Sequence, residues 1–170
     1  MKGTKFQSYY KDCRGEQFNK SMPHIVALGF GGMDTIQKTF TIDKFKNDYL
    51  DYIAEVKRMP TKPLIMMMTP VFTCRFSDIR KDEGHGHTLK NNCSVEQNLD
   101  LSPVIYQIAK ESGIPDHHII DAWSLLRLNP HIKAEDLLSA EGMHPNHKGF
   151  GVLAQEFFMK MSLSPEFMDR

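Results

Sequence analysis

Glu141-Gly142-Met143-His144-Pro145 sets a carboxylate three residues before an imidazole. On a turn that opens a helix, this spacing lets the carboxylate reach Nδ1. It would fix the tautomer and leave Nε2 as a general base. Pro145 suits a first helical position, so the sequence predicts a helix over 145–161 with His144 at its positive end. That end favours the neutral imidazole that a base needs, whereas Glu141 favours the charged form. Spacing alone leaves a second reading open, in which His144 only caps the helix. A further signal is Leu28-Gly29-Phe30-Gly31-Gly32-Met33-Asp34, whose glycines permit close backbone approach to a ligand. The pattern is not G-x-G-x-x-G and no P-loop Lys follows, so it does not support nucleotide binding. A plain turn after a strand remains the other reading. Asp82-Glu83-Gly84-His85-Gly86-His87, near Cys93, contains a His-x-His that can chelate a transition metal. Its glycines leave it without supporting partners, so it reads as a solvated loop, and no metal site is assigned. His24, His117 and His118 border strands and read as structural, and Trp123, at the sheet's carboxyl end, reads as core, with a pocket-lining role as the other reading.

These residues need elements to position them. Pro23-His24-Ile25-Val26-Ala27-Leu28 closes on Gly29 and predicts a buried strand. Over 42–59, Phe45, Tyr49, Tyr52, Ile53 and Val56 recur at helical spacing, with Asp43 as the expected N-cap and Pro60 as the stop. Leu64-Ile65-Met66-Met67-Met68 is a second strand, between Pro63 and Pro70. The polar stretch 71–98 predicts a long loop. Over 99–112, Leu101, Val104, Ile105 and Ile108 predict a helix capped by Asp100 or Ser102, with Pro103 in its first turn and Gly113 at its end. His118-Ile119-Ile120-Asp121-Ala122 is a third strand, and Leu137-Leu138 a turn of helix. Strands alternating with helices predict an α/β three-layer fold with a parallel sheet. The ligand crevice then lies beyond the carboxyl ends of the strands, where 29–34, 69–73 and 121–144 meet.

The chain has 170 residues, 41% hydrophobic and 25% charged, with 21 basic and 21 acidic side chains. This suits one globular domain with a substantial core and excludes a disordered chain. Balanced charge gives no pull toward nucleic acid, and no apolar run is long enough to span a bilayer. Residues 1–10 contain no apolar leader segment, so a soluble cytoplasmic protein is expected if the chain is complete and a secreted one if its N-terminus is missing. Cys13, Cys74 and Cys93 form no CxxC. Reduced thiols and a Cys74–Cys93 disulfide both remain open. No cofactor is called for.

The glycine turn after the 25–28 strand and the segment Glu141-Gly142-Met143-His144-Pro145-Asn146-His147-Lys148-Gly149 together resemble the third and fifth blocks of the SGNH (GDSL-type) hydrolases. The fifth block in that family is Asp-x-x-His, usually followed by Pro and, a few residues on, by Gly. Pro145 and Gly149 fit. The 64–69 strand before Pro70 and Ile120-Asp121 match in order, so the resemblance covers the chain from about Gly3 onward. It implies a single α/β/α sandwich domain of flavodoxin-like type over 1–170, and acyl-ester hydrolysis by a Ser–His–Asp arrangement. His144 matches the base, and Glu141 stands where Asp is expected. Gly29, Gly31, Gly32, Met33 and Asp34 match the third block, a substrate-binding segment, and Gly3 is the candidate second-block glycine. The oxyanion Asn of the third block is absent, with Met33 or Gly31 at the matching position. No serine directly follows Gly-Asp or lies in G-x-S-x-G.

The resemblance therefore implies a relative of the esterases and acetylesterases that lacks the nucleophile block and the first strand and is inactive as this chain. The alternative is a non-catalytic pseudo-esterase that binds a ligand or partner. An active product would act on a small-molecule or carbohydrate acyl ester. In the family's 2-1-3-4-5 sheet order, loss of the first strand leaves the 25–28 strand as an open edge, so self-association through that edge is expected.

Overall fold

The computed structural model describes residues 20–32, 34–35, 39–71, 100–133, 136–139 and 144–168. Their elements run β1 (Ile25–Leu28), α1 (Ile42–Lys57), β2 (Leu64–Met68), α2 (Ser102–Glu111), a 3₁₀ turn (Asp116–His118), β3 (Ile119–Ile120), α3 (Ala122–Arg127), α4 (His147–Ser162) and α5 (Pro165–Met168). The three strands form a parallel sheet in the order β1-β2-β3. Ile25 pairs with Leu64 and Leu28 with Met67, while Met67 pairs with Ile119 and Met68 with Ile120.

Alternation along the strands sorts the core into two layers. Val26, Leu28, Ile65, Met67 and Ile119 face one way and pack with Phe45, Tyr49, Ile53 and Val56 of α1 and Ile105, Ile108 and Ala109 of α2. Leu64 and Met66 face the other way, with Met161 of α4, and Ile120 packs there with Trp123, Leu126 and Leu153. Both sheet faces are thus covered, which is why the strands read as continuous apolar runs. Met67 of β2, the middle strand, is fully buried.

Several boundaries differ from the sequence reading, each for a local reason. Helix α1 is capped by Thr41, whose Oγ1 accepts from the Lys44 amide at 3.2 Å, so Asp43 lies inside the first turn. Helix α2 begins at Ser102. Its N-cap Leu101 provides no side-chain bond, and Asp100 Oδ1 takes the Ser102 amide at 2.8 Å. The third strand is shorter than 118–122, because 116–118 turns as a 3₁₀ segment and Asp121 already caps α3. Leu138 is not helical but makes an antiparallel bridge with Pro145. The last helix starts at His147, not Pro145, with Asn146 as its cap. The 71–98 loop, apart from Val71, and all three cysteines lie outside the described residues.

Candidate active site at the carboxyl ends of the strands

Three chain segments leave the sheet at its carboxyl edge. The first follows β1. Buried Tyr49 donates its hydroxyl to the Leu28 carbonyl at 3.2 Å and so holds the strand's last residue. Burial pushes the Tyr49 phenol far above its usual pKa, which keeps it a proton donor. Gly31 has φ +121°, and a Cβ there would stand 2.8 Å from both Leu101 Cδ1 and Pro70 Cγ. Only glycine fits this backbone and this space. The Gly31 carbonyl accepts from the amides of Asp34 and Thr35 at 3.1 and 3.2 Å, which closes the turn. Burial holds the Asp34 carboxyl above its ordinary pKa, while a backbone hydrogen bond at Gly31 opposes the shift.

The second and third segments are tied to each other. Thr69, fully buried just after β2, accepts the Trp123 amide on Oγ1 at 3.0 Å and donates to Asp121 Oδ1 at 3.1 Å. The same Asp121 oxygen takes the Ser124 amide at 3.1 Å, capping α3, and the Ser102 hydroxyl at 3.4 Å. A threonine, a serine and an aspartate thus satisfy one another at the carboxyl edge of the sheet. The sequence reading gave Asp121 no such role. Its only signal was an Asp between a short apolar run and a short helix.

His144 stands exposed just before α4, and its backbone carbonyl accepts the Ser139 amide at 2.7 Å. The adjoining Leu138–Pro145 bridge is clamped by Asn146. Its Oδ1 accepts the Lys148 and Gly149 amides, and its Nδ2 donates to the Asp136 and Leu138 carbonyls at 2.8 and 2.9 Å. Because Asn146 caps α4, the reading of His144 as the cap is removed. A Cβ at Gly149 would lie 2.2 Å from the Leu137 carbonyl oxygen, so the first turn of α4 rests directly on the 137–138 backbone.

The glycine turn packs on the chain that leaves β2. Gly31 packs on Pro70, and a Cβ at Gly29 would touch Met68 Cε at 2.9 Å. Met68 and Val71 pack against the cluster that holds Leu137 and Leu138. Trp123 belongs to that cluster, as the sequence suggests, and the Arg127 guanidinium lies 5.8 Å from the centre of its ring. Glu141, Met33 and Gly3 lie outside the described residues, as does the 82–87 loop. Gly32 is exposed, with open space where a Cβ would point. A separate cleft of about 300 Å³ runs beside β3, lined by residues that include Tyr106, Asp121, Asn129, Glu156 and Lys160; His144 does not line it.

No protein-family model and no curated protein sequence matches the chain. Solved structures do. A protein assigned as a GDSL-like lipase from Parabacteroides merdae superposes with a TM-score of 0.62 at 16% identity, covering 94% of this chain and 67% of that one. A lipase/acylhydrolase from Enterococcus faecalis gives 0.61 at 17% identity, covering 92% and 67%. A catalytic mutant of an acetylxylan esterase from Geobacillus stearothermophilus gives 0.61 at 16% identity, covering 91% and 65%. The fold is that of the GDSL-type (SGNH) hydrolases. The chain spans about two thirds of the length of these relatives. Among the described residues, no helix is long and apolar enough to cross a membrane.

Proposed function

We propose that this chain is an acyl-ester hydrolase-type domain that keeps the crevice and the base of that chemistry and does not hydrolyse esters through a serine of its own. One observation carries the reading. His144 is exposed and is held by backbone bonds on the Leu138–Pro145 bridge preceding α4, and Leu138 belongs to the cluster against which Met68 and Val71, at the end of β2, pack. Glu141 is the group assigned to orient its ring, and Gly29, Gly31, Gly32, Met33 and Asp34 form the substrate-facing segment, with Gly3 as a further contributor. The sequence contains no Gly-Asp-Ser. Without an attacking hydroxyl, binding and an oxyanion hole together leave only ~10³-fold over water, and loss of one oxyanion donor removes about 10²-fold or more. The ligand class we assign is an acyl ester on a small molecule or carbohydrate, in line with the lipase and acetylxylan esterase activities named for the structural neighbours.

The test uses p-nitrophenyl acetate and an acetylated xylooligosaccharide. We expect the chain to release p-nitrophenol no faster than its His144→Ala variant, and to bind the oligosaccharide in calorimetry. Saturable turnover that disappears in His144→Ala would show a working nucleophile and overturn the non-catalytic part. Absence of both turnover and binding would overturn the crevice itself.

A further inference from the structure

At the amino end of β3 the chain assembles three metal-ligating side chains. We propose that His117, His118 and Glu166 form a binding site for a divalent transition metal of the zinc type. One ligand atom from each lies within 4.8 Å of the other two. The two histidines occupy the 3₁₀ turn before β3, and Glu166 comes from α5, well along the sequence. Ser164 makes the encounter possible. It is fully buried, its hydroxyl donates to the Lys160 carbonyl at 2.9 Å, and its carbonyl takes the Phe167 amide at 3.0 Å. The chain therefore turns sharply after α4 and carries Glu166 back over the histidines.

The distances suit an ion better than a direct bond. His118 Nε2 and Glu166 Oε2 are 3.7 Å apart, too far for a hydrogen bond. Two donors around a tetrahedral zinc, with bonds of about 2.1 Å, stand roughly 3.4 Å apart. His118 Nε2 is buried and has no hydrogen-bond partner, a state that native structures rarely leave unexplained. The Glu166 side chain is 52% exposed and gives an ion a way in. Two imidazoles and one carboxylate suit zinc and its neighbours, whereas magnesium and calcium require oxygen donors throughout. A bound ion would fasten α5 to the 3₁₀ turn and close the layer beneath α4.

The experiment titrates the full chain with Zn²⁺ by calorimetry and with Co²⁺ by absorption, with far-UV circular dichroism as the check on folding. We expect one ion per chain and a cobalt spectrum free of thiolate charge transfer. The surface change Glu166→Gln should leave the fold intact and weaken binding at least about tenfold, the cost found even for partners one shell further out. His117→Ala should act alike, and the His85→Ala/His87→Ala double variant should change nothing. At a hundredfold excess over Kd, Zn²⁺ should raise Tm by roughly 5 to 10 °C, and Glu166→Gln should abolish the rise. The proposal is overturned by absence of saturable binding, by binding that survives Glu166→Gln and His117→Ala unchanged, or by a thiolate signature.

Discussion

The hydroxyl of Thr69 donates to Asp121 Oδ1 at 3.1 Å and ties the residue that leaves β2 to the residue that leaves β3. The same hydroxyl oxygen takes the Trp123 amide, so one buried side chain serves both the sheet edge and the first turn of α3. This pair fixes the carboxyl edge of the sheet between β2 and β3.

Thr69→Val keeps the shape and removes the hydroxyl. It leaves the Trp123 amide without its acceptor and Asp121 without one donor, so a loss of about 1–3 kcal/mol is expected from urea unfolding. Asp121→Ala should cost a similar amount through the lost cap. The double variant should fall short of the sum by at least about 0.5 kcal/mol, because the two residues share one network. Strict additivity would show that the bond carries no energy.

Gly149→Ala places a methyl 2.2 Å from the Leu137 carbonyl oxygen, a backbone atom that cannot swing aside. A destabilisation of about 1–3 kcal/mol or more is expected from overpacking, read as a lower urea midpoint. Alanine at exposed Gly151, where a Cβ would meet nothing within 4 Å, should instead stabilise α4 by roughly 0.5–1 kcal/mol.

Asn146→Ala removes an N-cap and the clamp on the Asp136 and Leu138 carbonyls together. The cap alone predicts about 1 kcal/mol, and the clamp should add to it. Asn146→Asp retains an N-cap acceptor but cannot donate to the two carbonyls, so it should recover only part of the loss. Full recovery by Asp would show that the clamp contributes nothing.

Asp34 supplies a pH signature. Its folded pKa is raised, chiefly by burial, so the folded state takes up this proton at a higher pH than the unfolded chain. Stability from this group therefore falls as pH rises from 3.8 through the folded pKa, and the deficit persists at neutral pH. Asp34→Asn should remove that slope and leave the chain slightly more stable at pH 7 in urea titrations. A slope unchanged by the substitution would assign the pH dependence elsewhere.

Much of the architecture was legible before any coordinates. Ile25–Leu28 and Leu64–Met68 are short apolar runs bounded by Pro and Gly, and α1 displays its buried face at helical spacing. Such patterns are local consequences of burial, and a sequence carries them openly. The helix starts were less legible, because a cap is decided by which nearby side chain reaches an amide. Thr41 does so for α1 although Asp43 also has the right chemistry. Pro145 suits a first helical position, yet its bridge to Leu138 holds it extended and passes the cap to Asn146.

By itself the sequence determined the alternation of strands and helices, the parallel sheet, the glycine turn and the histidine placed before the last helix. Only the tertiary structure decided that Gly31 lies against Pro70 and Leu101, that Thr69 meets Asp121, and that Glu166 returns to His118. The reason is physical: these contacts join residues far apart in the chain. Their distances follow from how packed layers stack side chains on both faces of the sheet, which no local spacing encodes.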